Sequence, residues 1–251
     1  AYDIVINGLR RLEYRGYDSA GIVLEDTNNS FEVKKTKGKV SDLVEISENL
    51  KATSHVGMGH TRWATHGVPS DRNSHPHVSN DGKIALVHNG IIENYDTIKT
   101  MLIGKGFTFS SETDTEVLVN LIQYILDTQK INFSEAVRYA LNEVYGAYAI
   151  TVMHKDYPGV LVVGRLGSPL AIGLGDKEYF IASDASPFVE FTKEAVYLED
   201  GHMATISLEK GVEIRSIKEN EIIEPAIQEL KLSLEQIEKG GYEHFMLKEI
   251  F

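Results

Sequence analysis

The sequence predicts an α+β fold, in which helices and antiparallel strands occupy separate stretches of the chain. Three successive helical patterns lie between residues 95 and 144, and from Ala147 onward short apolar segments alternate with turns rich in Gly and Asp. Helices grouped beside runs of short strands are typical of α+β layering, not of a βαβ alternation. The chain has 251 residues, 42% hydrophobic and 25% charged, which is enough for one large domain or two small ones.

The first third of the chain predicts a helix, a hairpin and further strands. Apolar residues recur at helical spacing in the first twelve positions, and a polar turn over 26–30 separates two short apolar runs. A serine is a common helix cap, so we expect Ser41 to cap a helix that ends near residue 49. The other predicted elements are the helix Tyr2–Leu12 and the strands 20–24, 31–35, 55–60 and 83–88.

The remainder of the chain predicts helices first and strands afterwards. Apolar residues of the second helix, from Val117 to Ile125, fall on one face. Residues 219–241 are more charged and are interpreted as a peripheral segment. The predicted helices are 95–104, 114–126 and 133–144, and the predicted strands are 147–153, 160–164, 179–182, 195–197, 203–207 and 213–217.

Charge and composition exclude several classes of partner. The formal net charge is -12 without a run of Lys or Arg, which disfavours nucleic acid and anionic membrane surfaces as partners. No apolar stretch approaches the roughly 20 residues of a spanning helix, and no signal peptide is visible. The absence of cysteine excludes disulfides and thiolate metal sites within these residues. We therefore expect a soluble cytoplasmic protein.

Both ends of the sequence resemble interrupted elements. Ala1 is not Met, and a helical pattern is already under way at Tyr2. Residues 242–251 are rich in apolar side chains and end without a cap. We expect further sequence on both sides.

The segment from His60 to Gly67 is the strongest candidate for a binding loop. The guanidinium of Arg62 matches a carboxylate or phosphate with two parallel hydrogen bonds, and Trp63 is suited to covering a site. Thr61, Thr65 and His66 add directional hydrogen-bonding groups. The alternative is a capped turn with a surface arginine and a packed tryptophan, and the loop alone does not separate the two.

Asn89 and Gly90 follow an apolar strand pattern that is expected to end at this pair. An Asn carboxamide N–H and the next backbone N–H can together form an oxyanion hole. Taken alone, an Asn-Gly pair is more often a plain turn, and that alternative remains open at this point.

The segment 111–116 precedes an apolar helix and is rich in capping residues. Ser, Thr and Asp at a helix start are explained by capping, which is the preferred interpretation from the residues alone. A functional role requires the carboxylate of Asp114 to face a cationic group of a ligand.

Histidines are concentrated in one third of the chain, but their spacing does not predict a metal site. No His-x-x-x-His pair on a helix and no facial-triad spacing is present. His75 and His77 flank Pro76, which is a weak signal. The histidines concerned are His55, His60, His66, His75, His77 and His88.

These motifs occur in one order that resembles a known family. The order is Arg-Gly-Tyr-Asp-Ser at 15–19, His-Thr-Arg-Trp-Ala-Thr-His-Gly at 60–67, His-Asn-Gly-Ile-Ile-Glu-Asn at 88–94 and Ser-Glu-Thr-Asp-Thr-Glu at 111–116. Together they closely resemble the glutaminase domain of glucosamine-6-phosphate synthases, the isomerizing glutamine–fructose-6-phosphate aminotransferases. The resemblance extends over essentially the whole chain, including segments 165–170, 179–184 and 240–250.

The resemblance implies a fold and a domain organisation. The fold is the N-terminal-nucleophile hydrolase sandwich, a four-layer αββα arrangement with two antiparallel sheets. Residues 1–251 would form a type-2 glutamine amidotransferase domain, with 219–251 as a peripheral tail leading to a sugar-isomerase half. That half would bind fructose 6-phosphate and make the full-length protein a homo-oligomer.

The resemblance also implies roles for individual residues. Arg62 would clamp the α-carboxylate of L-glutamine and Asp114 would pair with its α-ammonium group, which favours the functional interpretation of Asp114 over capping alone. Asn89 and the Gly90 N–H would form the oxyanion hole. The remaining substrate-binding assignments are Trp63, Thr65, His66, Arg15 and His75. No metal and no cofactor is implied.

The family's nucleophile is an N-terminal cysteine, expected upstream of Ala1 and absent from these residues. Its own α-amine would act as base, and ammonia released from glutamine would aminate fructose 6-phosphate. As written, the chain is expected to lack thiol catalysis. The alternatives are a non-catalytic glutamine-binding or regulatory domain and the glutaminase domain of a related enzyme such as amidophosphoribosyltransferase.

Overall fold

The computed structural model describes residues 1–50, 54–63 and 67–230. The helices are α1 Tyr2–Leu12, α2 Val40–Ser47, α3 Tyr95–Gly104, α4 Asp114–Thr128 and α5 Phe133–Glu143. The first eight strands are β1 Ser19–Glu25, β2 Phe31–Lys37, β3 Val56–Arg62, β4 His77–Val78, β5 Ile84–Ile92, β6 Gly146–His154, β7 Leu161–Leu166 and β8 Ala171–Leu174. The remaining strands are β9 Tyr179–Ala182, β10 Glu194–Tyr197, β11 His202–Ser207, β12 Gly211–Ser216, β13 Ile222–Ile223 and β14 Ile227–Glu229.

Three antiparallel sheets form the centre of the described structure. The largest has seven strands in the order β13-β12-β11-β7-β6-β5-β4. The smaller sheets have the orders β2-β1-β3 and β14-β10-β8-β9. Every pairing between these strands is antiparallel, as their short spacing and turn residues predict.

Both smaller sheets pack on one face of the seven-stranded sheet. Val23 of β1 and Met58 of β3 join Ala85 of β5 and Met153 of β6 in one apolar cluster. A second cluster joins residues of β8 and β10 to Val163 of β7 and to others of the large sheet. Since side chains alternate between the faces of a strand, the neighbouring residues point to the opposite side.

Helices cover both outer faces, which gives four layers. Leu118 and Ile122 of α4 pack with Ile84 and Leu86 of β5 on the outer face of the large sheet, together with α3 and α5. On the other side, α1 and α2 pack against β1 in a cluster that includes Leu43. The predicted α+β class and the αββα layering are confirmed, although the layer expected as one sheet is divided into two.

Several predicted boundaries require correction. The helix expected to be capped by Ser41 starts two residues earlier: Lys39 is the cap residue, and its N–H donates to Asp42 Oδ2 at 2.9 Å. β3 includes Arg62, which was expected in a loop. Asn89 and Gly90 lie inside β5, not in a turn after it. The short strands β4, β8, β13 and β14 were not predicted.

The segment that begins at residue 219 contributes edge strands as far as it is described. β13 pairs with β12, and β14 pairs with β10. The residues from 231 onward lie outside the described part, so the tail leading to a further domain stays a prediction.

We expect Ile22→Ala to lower the free energy of unfolding by about 2–5 kcal/mol. This side chain of β1 is fully buried against α1 and α2, and its loss leaves a cavity. Ile222→Ala is the matched control, since this isoleucine of β13 is 63% exposed, and should change stability by less than about 1 kcal/mol. Urea unfolding of both variants measures the difference, and equal losses would contradict the assigned core.

A second prediction concerns Gly90. Its φ is +132°, and a Cβ there would overlap the carbonyl oxygen of Ala147 on β6. Gly90→Ala should therefore destabilise the fold by about 3 kcal/mol or more, since strain and overlap add. Gly82→Ala, at φ +73° with nothing within 4 Å of the new Cβ, isolates the conformational cost of about 1–2 kcal/mol. Equal thermal shifts for the two variants would refute the close β5–β6 approach.

Candidate active site

One cavity brings the predicted residues together. Its volume is about 130 Å³, below the roughly 300–1,000 Å³ of drug-sized ligand pockets, so it suits a small substrate. The lining residues are Arg15, His60, Thr61, Arg62, Trp63, His75, His88, Asn89, Gly90, Asp114 and Thr115. They come from β3, β5, the start of α4 and the segments near Arg15 and His75, so the cavity lies where the sheet and helix layers meet.

The pairing of β3 with β1 fixes the position of Arg62. It ends β3 opposite Ser19 of β1, and its side chain is almost completely buried. Burial lowers the pKa of Arg62, while the negative charges of Asp114 and Asp18 oppose that shift. The guanidinium remains a cation at neutral pH because arginine titrates far above it.

Asp114 occupies the first turn of α4 and points into the same cavity. Thr113 Oγ1 accepts the Glu116 N–H and caps the helix, so the predicted capping is present. The Asp114 side chain is a separate feature: Oδ2 accepts the Ile92 N–H at 2.8 Å and lies 3.9 Å from His88 Nδ1. Capping and a role facing a ligand are therefore compatible at this helix start.

A carboxylate network holds the loop before α4. Glu116 accepts the backbone N–H groups of Ser110 at 2.8 Å and Ser111 at 2.6 Å, and the Ser111 hydroxyl also donates to it. Asn73 donates to Glu112 at 3.1 Å and links the loop to the preceding segment. These bonds fix the position from which Asp114 enters the cavity.

Asn89 and Gly90 present polar groups to the cavity from inside β5. Asn89 pairs with Ala149 and Gly90 with Tyr148 across β6. Although it belongs to a central strand, the Asn89 side chain is exposed, and its Oδ1 lies 2.8 Å from Nε2 of His60. The carboxamide is thus free to meet a ligand on its other side.

Three histidines, His60, His75 and His88, line the cavity, and His77 packs against His75. The ring of His75 lies 4.4 Å from that of His60 and 5.0 Å from that of His77. Thr115 Oγ1 bonds both His75 Nε2 at 2.9 Å and His88 Nδ1 at 3.1 Å. These contacts hold the imidazoles in fixed orientations.

Burial keeps these imidazoles neutral. Desolvation lowers the pKa of His60 to about 4 and lowers those of His75 and His77 well below the usual value. Burial also lowers the pKa of His88, with the Asp114 carboxylate acting in the opposite direction. Among the residues that the structure describes, no group of three or more His, Asp or Glu side chains is arranged to hold a metal ion.

Arg15 and Trp63 line the outer part of the cavity. Arg15 donates to Asp184 and, at 3.2 Å, to Ser183, which hold its guanidinium at the rim. Trp63 is 60% exposed, with its ring 5.6 Å from that of Tyr17. The predicted binding residues Thr65 and His66 lie outside the described residues, so their assignments stay predictions.

A second, larger groove lies elsewhere on the surface. It has a volume of about 390 Å³ between β8 and residues 189–194. Its lining includes no His, Arg or Asn side chain. The smaller cavity is the better candidate because cationic, anionic and amide groups converge there.

Three cavity residues were not assigned roles from the sequence. They are His60, His88 and Thr115, which lie within or beside the recognised motifs. The signal available was their position: His60 and His88 are the last residues of the predicted strands 55–60 and 83–88, and Thr115 follows Asp114. Their pairing depends on contacts between β3, β5 and α4, which sequence spacing does not specify.

Over the described ranges, no helix is long and apolar enough to span a membrane.

Comparison with known proteins gives the family. The sequence profile of the glutamine amidotransferase domain matches residues 20–232. The isomerizing glutamine–fructose-6-phosphate aminotransferases of Bacteroides thetaiotaomicron and Chlorobaculum tepidum are 51% and 52% identical to this chain over its whole length. In both cases the chain covers 41% of the relative's own length.

Solved structures agree with this relationship at the level of fold. A glutamine phosphoribosylpyrophosphate amidotransferase from B. subtilis, complexed with ADP and GMP, matches with a TM-score of 0.72 at 29% identity, covering 87% of this chain and 47% of that one. An allosteric regulatory enzyme of purine biosynthesis matches with a TM-score of 0.74 at 29% identity, covering 88% and 47%. The matched sequence profile, which extends over most of the chain, establishes that this protein belongs to the glutamine amidotransferase domain family.

Proposed function

We propose that residues 1–251 form the glutamine-hydrolysing part of an isomerizing glutamine–fructose-6-phosphate aminotransferase. The observation that carries the proposal is the convergence of Arg62, Asp114 and the Asn89-Gly90 pair on one small cavity. The identity of 51–52% to enzymes of that name favours this reaction over that of the phosphoribosylpyrophosphate amidotransferases, which are 29% identical.

The charged groups of the cavity match the α-amino acid end of glutamine. Arg62 offers paired N–H donors to an α-carboxylate, and Asp114 offers a carboxylate to an α-ammonium group. Both side chains are largely buried, so each charge acts with little screening by water. A zwitterion therefore presents an opposite charge to each of the two side chains.

The polar groups of β5 match the side-chain amide end. When a nucleophile attacks the amide carbon, negative charge develops on the oxygen. The Asn89 carboxamide N–H and the Gly90 backbone N–H supply donors for that charge, each typically worth ~3 kcal/mol. Ammonia then leaves, and water hydrolyses the remaining γ-glutamyl thioester to glutamate.

The nucleophile we propose is a cysteine thiol preceding Ala1, because none of the 251 residues is cysteine. The direction of α1 supports this placement: its start lies beside Gly57 and its later turns beside Gly59, so the helix runs along β3 toward the cavity. A strand that precedes α1 and runs antiparallel to it would have its first residue near the cavity. The lengths agree, because about five extended residues span the ~16 Å length of α1.

An N-terminal cysteine carries its own base. The α-amine has a pKa near ~7.7 and takes the thiol proton, directly or through water. The thiolate then attacks the glutamine amide carbon and forms the thioester. In this proposal the residues 1–251 bind and polarise the substrate, and they are inactive in hydrolysis without the cysteine segment.

The released ammonia is proposed to aminate fructose 6-phosphate at a further sugar-isomerase domain. The chain spans 41% of its relatives' length, which leaves room for such a domain. We further propose that the full-length protein associates into homo-oligomers through that half.

A second candidate is a glutamine-binding domain that does not catalyse hydrolysis, since Arg62 and Asp114 supply binding groups whether or not a nucleophile is present. Intact mass and N-terminal sequencing of the native protein separate the two. An N-terminal cysteine that is labelled by a glutamine analogue with an electrophilic δ-carbon, and is protected by glutamine, would support hydrolysis. Gly or Ala at the N-terminus, in place of cysteine, would contradict the catalytic proposal.

Arg62→Ala should weaken glutamine binding by about 100-fold or more, because it removes a buried charge-assisted pair of hydrogen bonds. Because the native protein is proposed to hydrolyse glutamine, the affinity is followed as KM in steady-state kinetics of glutamate formation. Arg215→Ala is the control, since this arginine pairs with Glu213 on β12, away from the cavity, and should leave the affinity unchanged. An unchanged affinity for Arg62→Ala would refute the carboxylate clamp.

Asn89→Ala should lower kcat for glutamine hydrolysis by about 10²–10³ with little change in ground-state binding, because the lost donor acts mainly in the transition state. Steady-state kinetics of glutamate formation measure the effect. The control is Asn142→Ala, whose amide donates to Arg138 and Ile217 carbonyls outside the cavity. A rise in KM at constant kcat for Asn89→Ala would contradict the oxyanion assignment.

A further inference from the structure

We propose that His60 is a positioning residue that fixes the orientation of the Asn89 carboxamide. The inference rests on the proposed hydrolysis of glutamine and adds a residue to it. A terminal carboxamide has two faces of opposite polarity, and its last torsion is soft. Only one orientation directs the amide N–H groups toward the cavity, so an oxyanion hole requires something to select it.

The hydrogen bond from His60 is the contact that makes this selection. His60 Nε2 lies 2.8 Å from Asn89 Oδ1 and joins β3 of the three-stranded sheet to β5 of the large sheet. Within the described ranges, no other hydrogen bond is seen for the exposed Asn89 side chain. The orientation of the carboxamide therefore depends on which of the His60 nitrogens carries the proton.

The contact with Asn89 places that proton on Nε2, because the atom facing Nε2 is the amide oxygen Oδ1, which can only accept a hydrogen bond. The other nitrogen, Nδ1, is shielded from solvent and has no partner at hydrogen-bond distance and angle among the described residues, and the His88 backbone acts on the ring only weakly. An N–H without a partner at that position would cost the free energy of desolvating a donor. Leaving an imidazole lone pair without a partner costs less. Nε2–H then donates to Oδ1, which turns the Asn89 Nδ2 donors away from His60 and toward the cavity.

The ring is itself held in place. His75 lies against it at 4.4 Å, and Thr115 Oγ1 fixes His75 through a 2.9 Å bond. A neutral ring also suits the position, because a cation there would add to the positive charge of Arg62 beside it. His60 thus acts on the reaction through Asn89 and does not need to touch the substrate.

The substitutions that test this role separate ring volume from donation. His60→Phe keeps the ring and removes the donor, and it should lower kcat by about 10–100-fold with KM within about 3-fold, less than the loss of the Asn89 donor itself. His60→Gln places an N–H donor at a similar reach and should restore kcat to within about 3-fold of the native value. His154→Phe, a buried histidine on β6 outside the cavity, controls for general destabilisation.

A double-mutant cycle decides whether His60 acts through Asn89. In an Asn89→Ala background of the native full-length enzyme, His60→Phe should change kcat by less than about 2-fold, because there is no carboxamide left to orient. Melting temperatures of all variants confirm that they remain folded.

Two results would overturn the inference: a native kcat in His60→Phe, or a kcat loss that is equally large in both backgrounds. Failure of the proposed function has a different signature, since Asn89→Ala would then leave glutamine hydrolysis unchanged. An effect of Asn89→Ala without any effect of His60→Phe refutes only the role of His60.

Discussion

The buried carboxylate of Asp114 is the constraint on which the architecture of the site depends. An ionised group with so little exposure costs several kcal/mol unless its charge is compensated. The Ile92 N–H donates to it, His88 lies 3.9 Å away, and the position at the start of α4 favours a negative charge. Arg62 adds the opposite charge from β3. Compensating this one group therefore ties together two sheets and a helix.

The layered fold explains how distant residues meet at that point. Arg62 ends a strand of the three-stranded sheet, whereas Asn89 lies within the large sheet that packs beneath it. α4 covers the other face of the large sheet, and its first turn reaches the same end. Because each contributor belongs to a rigid element, the polar groups are held in place before a ligand arrives, which is a condition for electrostatic catalysis.

The sequence predicted the elements well where the hydrophobic periodicity agrees with the positions of turn and cap residues. The bounds of α1, α3 and β9 match the prediction, and the β1–β2 hairpin is present with slightly longer strands. Errors occurred where tertiary contacts override local signals. An Asn-Gly pair usually forms a turn, but pairing with β6 keeps Asn89 and Gly90 in a strand. The separation of the second layer into two sheets is likewise a matter of long-range pairing, which spacing does not specify.

The sequence predicted the charged residues of the candidate site, but it did not predict the roles of His60, His88 and Thr115, which lie beside them. Arg62 and Asp114 stand in motifs whose chemistry is visible from residue type. His60 is informative only once its ring is seen beside Asn89, 29 positions away in the chain. The assignments of Thr65 and His66 depend on residues that the structure does not describe, and they remain predictions from the family resemblance.

The central claim is that Arg62 and Asp114 together recognise the two charges of an α-amino acid. The direct test compares KM for L-glutamine in the native protein with the inhibition constants of 4-aminobutanamide and 5-amino-5-oxopentanoic acid against glutamate formation. The second ligand lacks the α-carboxylate, and the third lacks the α-ammonium group. The account predicts that each analogue binds at least about 10-fold more weakly than glutamine, since each lacks one of the two charged groups that Arg62 and Asp114 are proposed to bind. Equal affinities for all three ligands would contradict it.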